Sequence, residues 1–119
     1  MPLSRKDPAY LWDMLEAAEK VREYLIDKTF EDFMLDDMRR EAVERNLEII
    51  GEAAGRISEG LKLEQTDIPW QEIIAQRNAL LYEYYDIDYQ KIWQVVSFDV
   101  PKLIEQIRPL IPPLPPEVD

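Results

Sequence analysis

Arg77 is the residue whose type and position most suggest chemistry in this sequence. It lies in an amphipathic helix predicted from Trp70 to Tyr84, on the side that carries the apolar residues. A buried or half-buried guanidinium is costly unless it pairs with an acid or binds a ligand. Asn78 follows it directly, and Tyr82 and Tyr84 come one to two turns later. The segment therefore indicates either a binding site or a structural arginine paired with a carboxylate.

The spacing of these residues limits how they can cooperate. Arg77 and Tyr84 are seven residues apart, so they share a face on a continuous helix, about two turns from each other. Tyr82 follows Arg77 by five residues, which places it about 140° around the helix. Arg77 and Tyr82 therefore cannot act together within one regular helix. Either the helix ends or loosens near Leu81, or a second protomer completes the site.

The other candidate groups have simpler interpretations. Glu48 and Glu52, like Asp32 and Asp36, are four residues apart, but such pairs arise by chance in a chain with 25 Asp and Glu. With no histidine or cysteine in the chain, a solvated acidic face is favoured over a metal site. No phosphate-binding glycine loop and no Ser/His/Asp set is present, and no cofactor is expected. Three tryptophans fall on or beside apolar stripes and are interpreted as core residues: Trp12, Trp70 and Trp93.

Helices are predicted to position these residues. Asp7 and Pro8 have the residue types of an N-cap and a first helical position. Apolar residues then recur every three or four positions as far as Leu25. Thr29 and Asp32 indicate a capping box for a second, short helix. A third, long helix is predicted from about residue 36 to 57.

The second half of the chain is predicted to contain a loop and two further helices. Residues 60–67 are interpreted as the loop, and Pro69 can open the fourth helix at its first position. Asp86 or Asp88 can cap the fifth helix, in which Pro101 should cause a kink because it removes a backbone donor. The predicted fold is an all-α, antiparallel bundle of about five helices, with residues 1–111 as one domain and 112–119 as a proline-rich, mobile tail.

Two glycines in the predicted third helix call for an explanation. Gly51 and Gly55 are four residues apart, and each costs up to about 1 kcal/mol relative to alanine inside a helix. Close approach of another helix would compensate for this cost. Loosening of the helix toward its C-terminus is the alternative.

Composition and charge narrow the classes of partner. Among 119 residues, 46% are hydrophobic and 33% are charged, which suits a folded domain. The net charge of -11 disfavours broad contact with nucleic acid or anionic membranes, and it would attract a basic partner. With no cysteine, no apolar signal core and no apolar run long enough for a bilayer, a cytoplasmic protein is expected.

Several motifs in a fixed order resemble a known family. Residues 77–84 are similar to Arg-Asn-x-Leu-x-His-x-Tyr, the signature of HepT-like toxins of the HEPN superfamily, except that Tyr82 occupies the histidine position. The resemblance extends over roughly residues 11–111. Its supporting motifs are Arg45–Ala54, Ile68–Trp70, Asp86–Asp88 and Ile92–Trp93.

The resemblance implies a homodimeric helical bundle that acts as a metal-independent endoribonuclease toxin. It also implies a partner, a small MNT-type nucleotidyltransferase antitoxin that transfers AMP to a tyrosine of the signature and so blocks the nuclease. By this correspondence Arg77 is the catalytic arginine, Asn78 the polar residue that follows it, and Tyr84 the AMP acceptor. Tyr82 stands where the catalytic histidine belongs.

The tyrosine at position 82 casts doubt on the nuclease activity. Cleavage of RNA by its own 2′-hydroxyl needs a base, an acid, and positive charge at the phosphate in the transition state. Arg77 can supply that charge through two hydrogen bonds, and histidine can exchange protons at neutral pH. Tyrosine, with a pKa near 10, is a poor base there. Losing acid–base catalysis typically costs about 10²- to 10⁴-fold in rate.

Three hypotheses follow from these residues. The first is a HepT-type protein with a disabled nuclease centre. The second is an active ribonuclease in which Arg77 works with Tyr82 or Tyr84 in an unusual role. The third is a non-catalytic helical accessory subunit that binds a nucleotidyltransferase and presents a tyrosine to it.

Overall fold

The computed structural model describes residues 6–82 and 86–112, and within these ranges it contains helices and no strands. This confirms the predicted all-α class. The elements in chain order are α1 (Asp7–Leu25), α2 (Phe30–Leu35), α3 (Asp37–Arg56), α4 (Glu59–Glu64), α5 (Trp70–Tyr82), α6 (Tyr89–Gln94), a π-helical turn (Val95–Asp99), α7 (Val100–Ile107) and a 3₁₀ turn (Arg108–Leu110). The predicted tail falls almost entirely on residues 113–119, which lie outside the described ranges.

Helices α1 and α3 form the centre of the bundle and run antiparallel. At one end, the Asp7 carboxylate accepts hydrogen bonds from the Ser58 backbone N–H (2.9 Å) and hydroxyl (2.6 Å). At the other end, the Arg39 guanidinium donates to the carbonyl of Tyr24. Helix α7 packs on α1, and α5 packs on α3. The core consists of the apolar faces of these helices, with fully buried side chains such as Leu11 and Ile104.

Two predictions about the first half of the chain have different outcomes. Asp7 is not an N-cap but the first residue of α1, and its side chain is fully buried on Ser58. That contact joins residues 51 positions apart, so the local pattern could not reveal it. The Thr29 and Asp32 capping box is confirmed, with both reciprocal hydrogen bonds present at 2.9 and 3.1 Å.

The predicted loop at residues 60–67 is wrong over its first half. Ser58 accepts the Leu61 N–H and caps the short helix α4, and Leu61 is buried in the core. The five predicted helical segments are all present, and α4 is an additional one. The fifth is divided by the π-helical turn directly before Pro101, where the Val100 N–H bonds to the Val95 carbonyl. The predicted distortion at Pro101 thus takes the form of a widened turn.

Candidate active site

Helix α5 carries the signature residues, and its first turn is anchored to the bundle. Its first helical hydrogen bond runs from the Ile73 N–H to the Pro69 carbonyl (3.0 Å), so Pro69 directly precedes the helix rather than opening it. Trp70 is buried, and its indole N–H donates to the Gln65 carbonyl (3.0 Å). The anchor fixes the rotation of α5, and with it the direction in which each later side chain points.

Gly51 is a point of close contact between α3 and α5. A Cβ built on Gly51 would lie 2.2 Å from the Cβ and 2.9 Å from the Cγ of Arg77, and 3.2 Å from the Ile73 carbonyl oxygen. Real Cβ atoms do not come that close, so only glycine allows this approach. Nothing lies within 4 Å of the corresponding position on Gly55. The prediction of close helix contact is therefore confirmed for Gly51 and wrong for Gly55.

The guanidinium of Arg77 is not neutralised by an acid in the described part of the chain. It donates to the side-chain oxygen of the adjacent Asn78 (3.1 Å), and no carboxylate of residues 6–82 or 86–112 lies within 4 Å of it. By contrast, Arg39 and Arg40 each pair with an aspartate and cap a neighbouring helix through its carbonyls. Within the described residues, the ion-pair explanation for Arg77 therefore fails.

Tyr82 is the last residue of α5, and its side chain is 77% exposed. The helix is continuous from Arg77 to Tyr82, so the two residues remain about 140° and about 7.5 Å apart along one helix. The helix does end near Leu81, as one of the two alternatives expected, but it still includes Tyr82, so its end does not reduce this separation. One chain does not bring these two side chains together. Tyr84, the predicted AMP acceptor, lies outside the described residues.

Glu44 is a perturbed carboxylate that the motif analysis missed. Burial raises its pKa above the ordinary value of 4.5, and the negative charges of Glu41 and Glu48 add to this rise while Arg40 opposes it. It precedes Gly51 by two helical turns on α3, and Arg40 stacks over the ring of Tyr89, 5.3 Å from its centroid.

In the ranges 6–82 and 86–112, no group of three or more acidic, histidine or cysteine side chains could hold a metal ion. No helix within these ranges is long and apolar enough to cross a membrane. The chemistry available at Arg77 is thus that of a fixed positive charge with an adjacent amide, which suits binding of a phosphate oxygen.

Comparison with known proteins adds independent information. The model of the family described as Ribonuclease HepT-like matches residues 14–110. A protein of Methanocaldococcus jannaschii, named provisionally as an RNase, is 39% identical over 107 residues, covering 89% of this chain and 98% of the relative. A protein of Thermococcus cleftensis, named provisionally as ribonuclease HepT, is 40% identical over 103 residues, covering 87% and 92%.

A third relative is also similar. A protein of Caldanaerobacter subterraneus, again named provisionally as an RNase, is 32% identical over 102 residues, covering 86% of this chain and 91% of its own. No solved structure matches the chain. The family match, over residues 14–110, covers most of α1 and extends from α2 through α7.

Proposed function

Because the chain belongs to the Ribonuclease HepT-like family, we propose that it is the toxin component of a HEPN/MNT toxin–antitoxin system, with an endoribonuclease centre that Tyr82 impairs. Arg77 would bind the scissile phosphate, and Asn78 would orient the guanidinium through the hydrogen bond between them. The substrate would be RNA with a free 2′-hydroxyl next to the phosphate.

The main support for this proposal is that the charge of Arg77 is not neutralised by a described carboxylate. The Cβ and Cγ of Arg77 lie against α3, and its guanidinium has no carboxylate partner among the described residues, so its charge stays available for a ligand. A structural arginine would instead be paired, as Arg39 and Arg40 are in the same molecule. The charge of Arg77 would stabilise the pentacoordinate phosphate in the transition state.

A homodimer is the second part of the proposal. Arg77 and Tyr82 diverge by about 140° on one helix, so a complete centre needs a group from another chain. A second copy that faces the exposed end of α5 would place position 82 of each protomer near Arg77 of the other. A cleft with two copies of Arg77 would also concentrate positive charge locally, against a net charge of -11 per chain.

Regulation by a nucleotidyltransferase antitoxin completes the proposal. The Tyr84 hydroxyl would attack the α-phosphorus of ATP, forming a tyrosyl–AMP phosphodiester, releasing pyrophosphate and losing its proton to the antitoxin. A bulky anion close to the RNA phosphate site would exclude the substrate. This step depends on Tyr84, so it would survive the loss of histidine at position 82.

A cleavage assay on a fluorescent single-stranded RNA tests the nuclease part. The parent protein and Tyr82→His are compared with EDTA present. We expect slow or undetectable cutting by the parent and a gain of about 10²- to 10⁴-fold in Tyr82→His, because a general acid–base is restored. Strong cutting by the parent would contradict an impaired centre and favour the unusual use of tyrosine.

Two controls separate the site from contamination. Arg77→Ala in the Tyr82→His background should remove the gained activity, whereas activity that persists would assign cleavage to another protein. Exposed Arg56, which pairs with Glu52 on α3, offers a matched control. Arg56→Ala removes the same charge from the chain and should leave the activity of Tyr82→His unchanged.

Mass spectrometry tests the regulatory part. After incubation with the neighbouring nucleotidyltransferase and ATP, we expect one AMP adduct on the peptide that contains Tyr84, and none in Tyr84→Phe. An adduct on a protein in which Tyr82→His gives no nuclease activity would favour the non-catalytic accessory subunit. Absence of an adduct would refute the regulation without touching the nuclease proposal.

A further inference from the structure

A groove with a volume of about 750 Å³ separates α5 from the segment formed by α6, the π-helical turn and α7. Leu47, Ile50 and Leu103 contribute to its apolar floor. Helix α5 packs extensively on α3, but no comparable packing joins it to α6 or α7 among the described residues. The bundle is therefore open along one side.

Both walls of the groove are helical, so the groove is elongated. On α5 the wall consists of positions three to four residues apart, including Glu72, Gln76 and Ala79. On the opposite wall, Val95 and Asp99 follow the same spacing. Small side chains such as Ala79 allow a third backbone to approach closely. A groove of this shape fits the apolar face of an amphipathic helix better than it fits a compact ligand.

The charges along the groove favour a cationic occupant. Five carboxylates line it and two lysines oppose them, so its own residues carry an excess of negative charge. The carboxylates belong to Asp67, Glu72, Asp86, Asp88 and Asp99, and the ammonium groups to Lys91 and Lys102. For this groove, a basic segment is a better electrostatic match than a second copy of this chain, whose net charge is also -11.

We propose that this groove docks a cationic amphipathic helix of a partner protein, with apolar side chains on the floor and lysine or arginine against the acidic walls. The groove lies on the opposite flank of α5 from Ile74 and Leu81, and the Cβ and Cγ of Arg77 lie against Gly51 of α3. Ala75, which lines the groove, precedes Tyr82 by seven residues and shares its face of α5, so a bound helix would lie next to position 82. The proposal rests on the shape and charge of the groove and does not require ribonuclease activity.

Binding of a designed probe tests the proposal. The probe is a labelled peptide of about 18 residues, or five turns, with leucine on one face and lysine on the other. A second peptide has glutamate in place of every lysine. Fluorescence anisotropy with the full chain should show binding of the lysine peptide only. The affinity should fall as ionic strength rises from about 0.1 to 1 M, because the Debye length shrinks from about 10 to 3 Å.

Matched variants locate the binding. Asp99→Lys should weaken binding of the lysine peptide by roughly tenfold. Glu105→Lys changes the charge of an exposed α7 residue that does not line the groove, and it should have little effect. Ala79→Trp should block binding sterically without changing charge, while circular dichroism confirms that the variant is folded.

Three outcomes would overturn the proposal. Equal binding of the lysine and glutamate peptides would remove the electrostatic argument. Equal weakening by Glu105→Lys and by the groove variant would place the binding elsewhere. A change from dimer to monomer in Ala79→Trp, measured by sedimentation, would make the groove a contact between two copies. If Ala79→Trp does not fold, the charge variants decide the question alone.

Discussion

Helices α1 and α5 are held in very different ways. Four apolar side chains of α1 are fully buried, namely those of Leu11, Met14, Ala18 and Val21. In α5 only Trp70 and Leu80 are buried, and the helix rests on one neighbour, α3. Helices α1, α3 and α7 therefore form the most deeply buried part of the bundle, whereas α5 carries the candidate site residues at its surface.

The polar contacts repeat this difference. The α1–α3 pair is joined at both ends, by Asp7 with Ser58 and by Arg39 with the Tyr24 carbonyl. Helix α5 is joined at its beginning, through Trp70. In the described part of the chain, no side-chain hydrogen bond links residues 74–82 to another helix. The last turns of α5 should therefore open at lower free energy than the rest of the bundle.

Truncation of one apolar side chain in α1 and one in α5 should give the largest difference in the free energy of unfolding. Leu11→Ala should lower the free energy of unfolding by about 2–5 kcal/mol, because it leaves a cavity in a closed core. Ile74→Ala on half-buried α5 should lower it by less than half as much. Urea denaturation followed by circular dichroism measures both values. Equal losses would mean that α5 is as well packed as α1.

Substitution of the two glycines of α3 tests the close contact between α5 and Gly51. Gly51→Ala should destabilise the protein by about 1–3 kcal/mol, since the new Cβ collides with the side chain of Arg77. Gly55→Ala should stabilise it by about 0.5–1 kcal/mol, because that position is open and alanine favours the helix. Thermal unfolding of both variants measures the difference. The same sign for both would refute the close contact.

Removal of the buried Asp7 carboxylate tests the hydrogen bonds that join the start of α1 to Ser58, just after α3. Asp7→Ala should cost about 1–3 kcal/mol, because the backbone N–H and the hydroxyl of Ser58 lose their acceptors. Asp13→Asn on the exposed side of α1 is the control. Burial raises the pKa of Asp13, so neutralising it should not destabilise. Chemical denaturation at pH 7 distinguishes the two, and equal effects would argue against these hydrogen bonds.

The smallest effect expected is a pH dependence at Glu44. Its raised pKa means that the folded state holds the proton more tightly than the unfolded state, so ionisation destabilises the fold as pH rises through the raised pKa. Glu44→Gln should therefore be more stable than the parent at neutral pH. The advantage should vanish as pH falls below about 4.5, the ordinary value. An advantage independent of pH would exclude this origin.

The stability that the capping carboxylates Asp32 and Asp36 contribute should depend on pH in the opposite sense. Backbone hydrogen bonds from Thr29 and Arg39 lower the pKa of Asp32 and of Asp36, respectively. The stability that they contribute is present above the ordinary value of 3.8 and is lost as pH falls through the lowered pKa. Asp32→Asn should thus lower the free energy of unfolding at neutral pH and have no effect on it in acid.

Features fixed by neighbouring residues could be predicted from the sequence. The Thr29 capping box, the Asp88 cap of α6 and the distortion before Pro101 each depend on contacts within about one turn. The buried role of Asp7 depends on a residue 51 positions away, and no local pattern encodes it. Helix α4 was missed because Gly60 indicated a loop, although Ser58 offered a capping signal.

The candidate site was predictable in its residue types but not in its geometry. The motif identified Arg77, Asn78 and Tyr82, and helical spacing separated the first from the last. The close approach of α5 to Gly51 was only one of two explanations, because the sequence does not show which helix lies against which glycine. Glu44 was missed because its burial depends on how the helices pack, and one of its contacts, Tyr89, lies far along the chain.

The π-helical turn at Val95–Asp99 also limits how the length of this chain can change. One residue more than a regular α-helical turn is accommodated there. Deleting one of its residues would restore regular winding and keep the following helix in register, because the widened turn is itself what absorbs the extra residue. The buried face of α7, with Val100, Ile104 and Ile107, would still point toward α1. A single-codon deletion of an exposed residue at this turn should thus be tolerated, whereas the same deletion inside a regular helix such as α1 would rotate everything after it by about 100°.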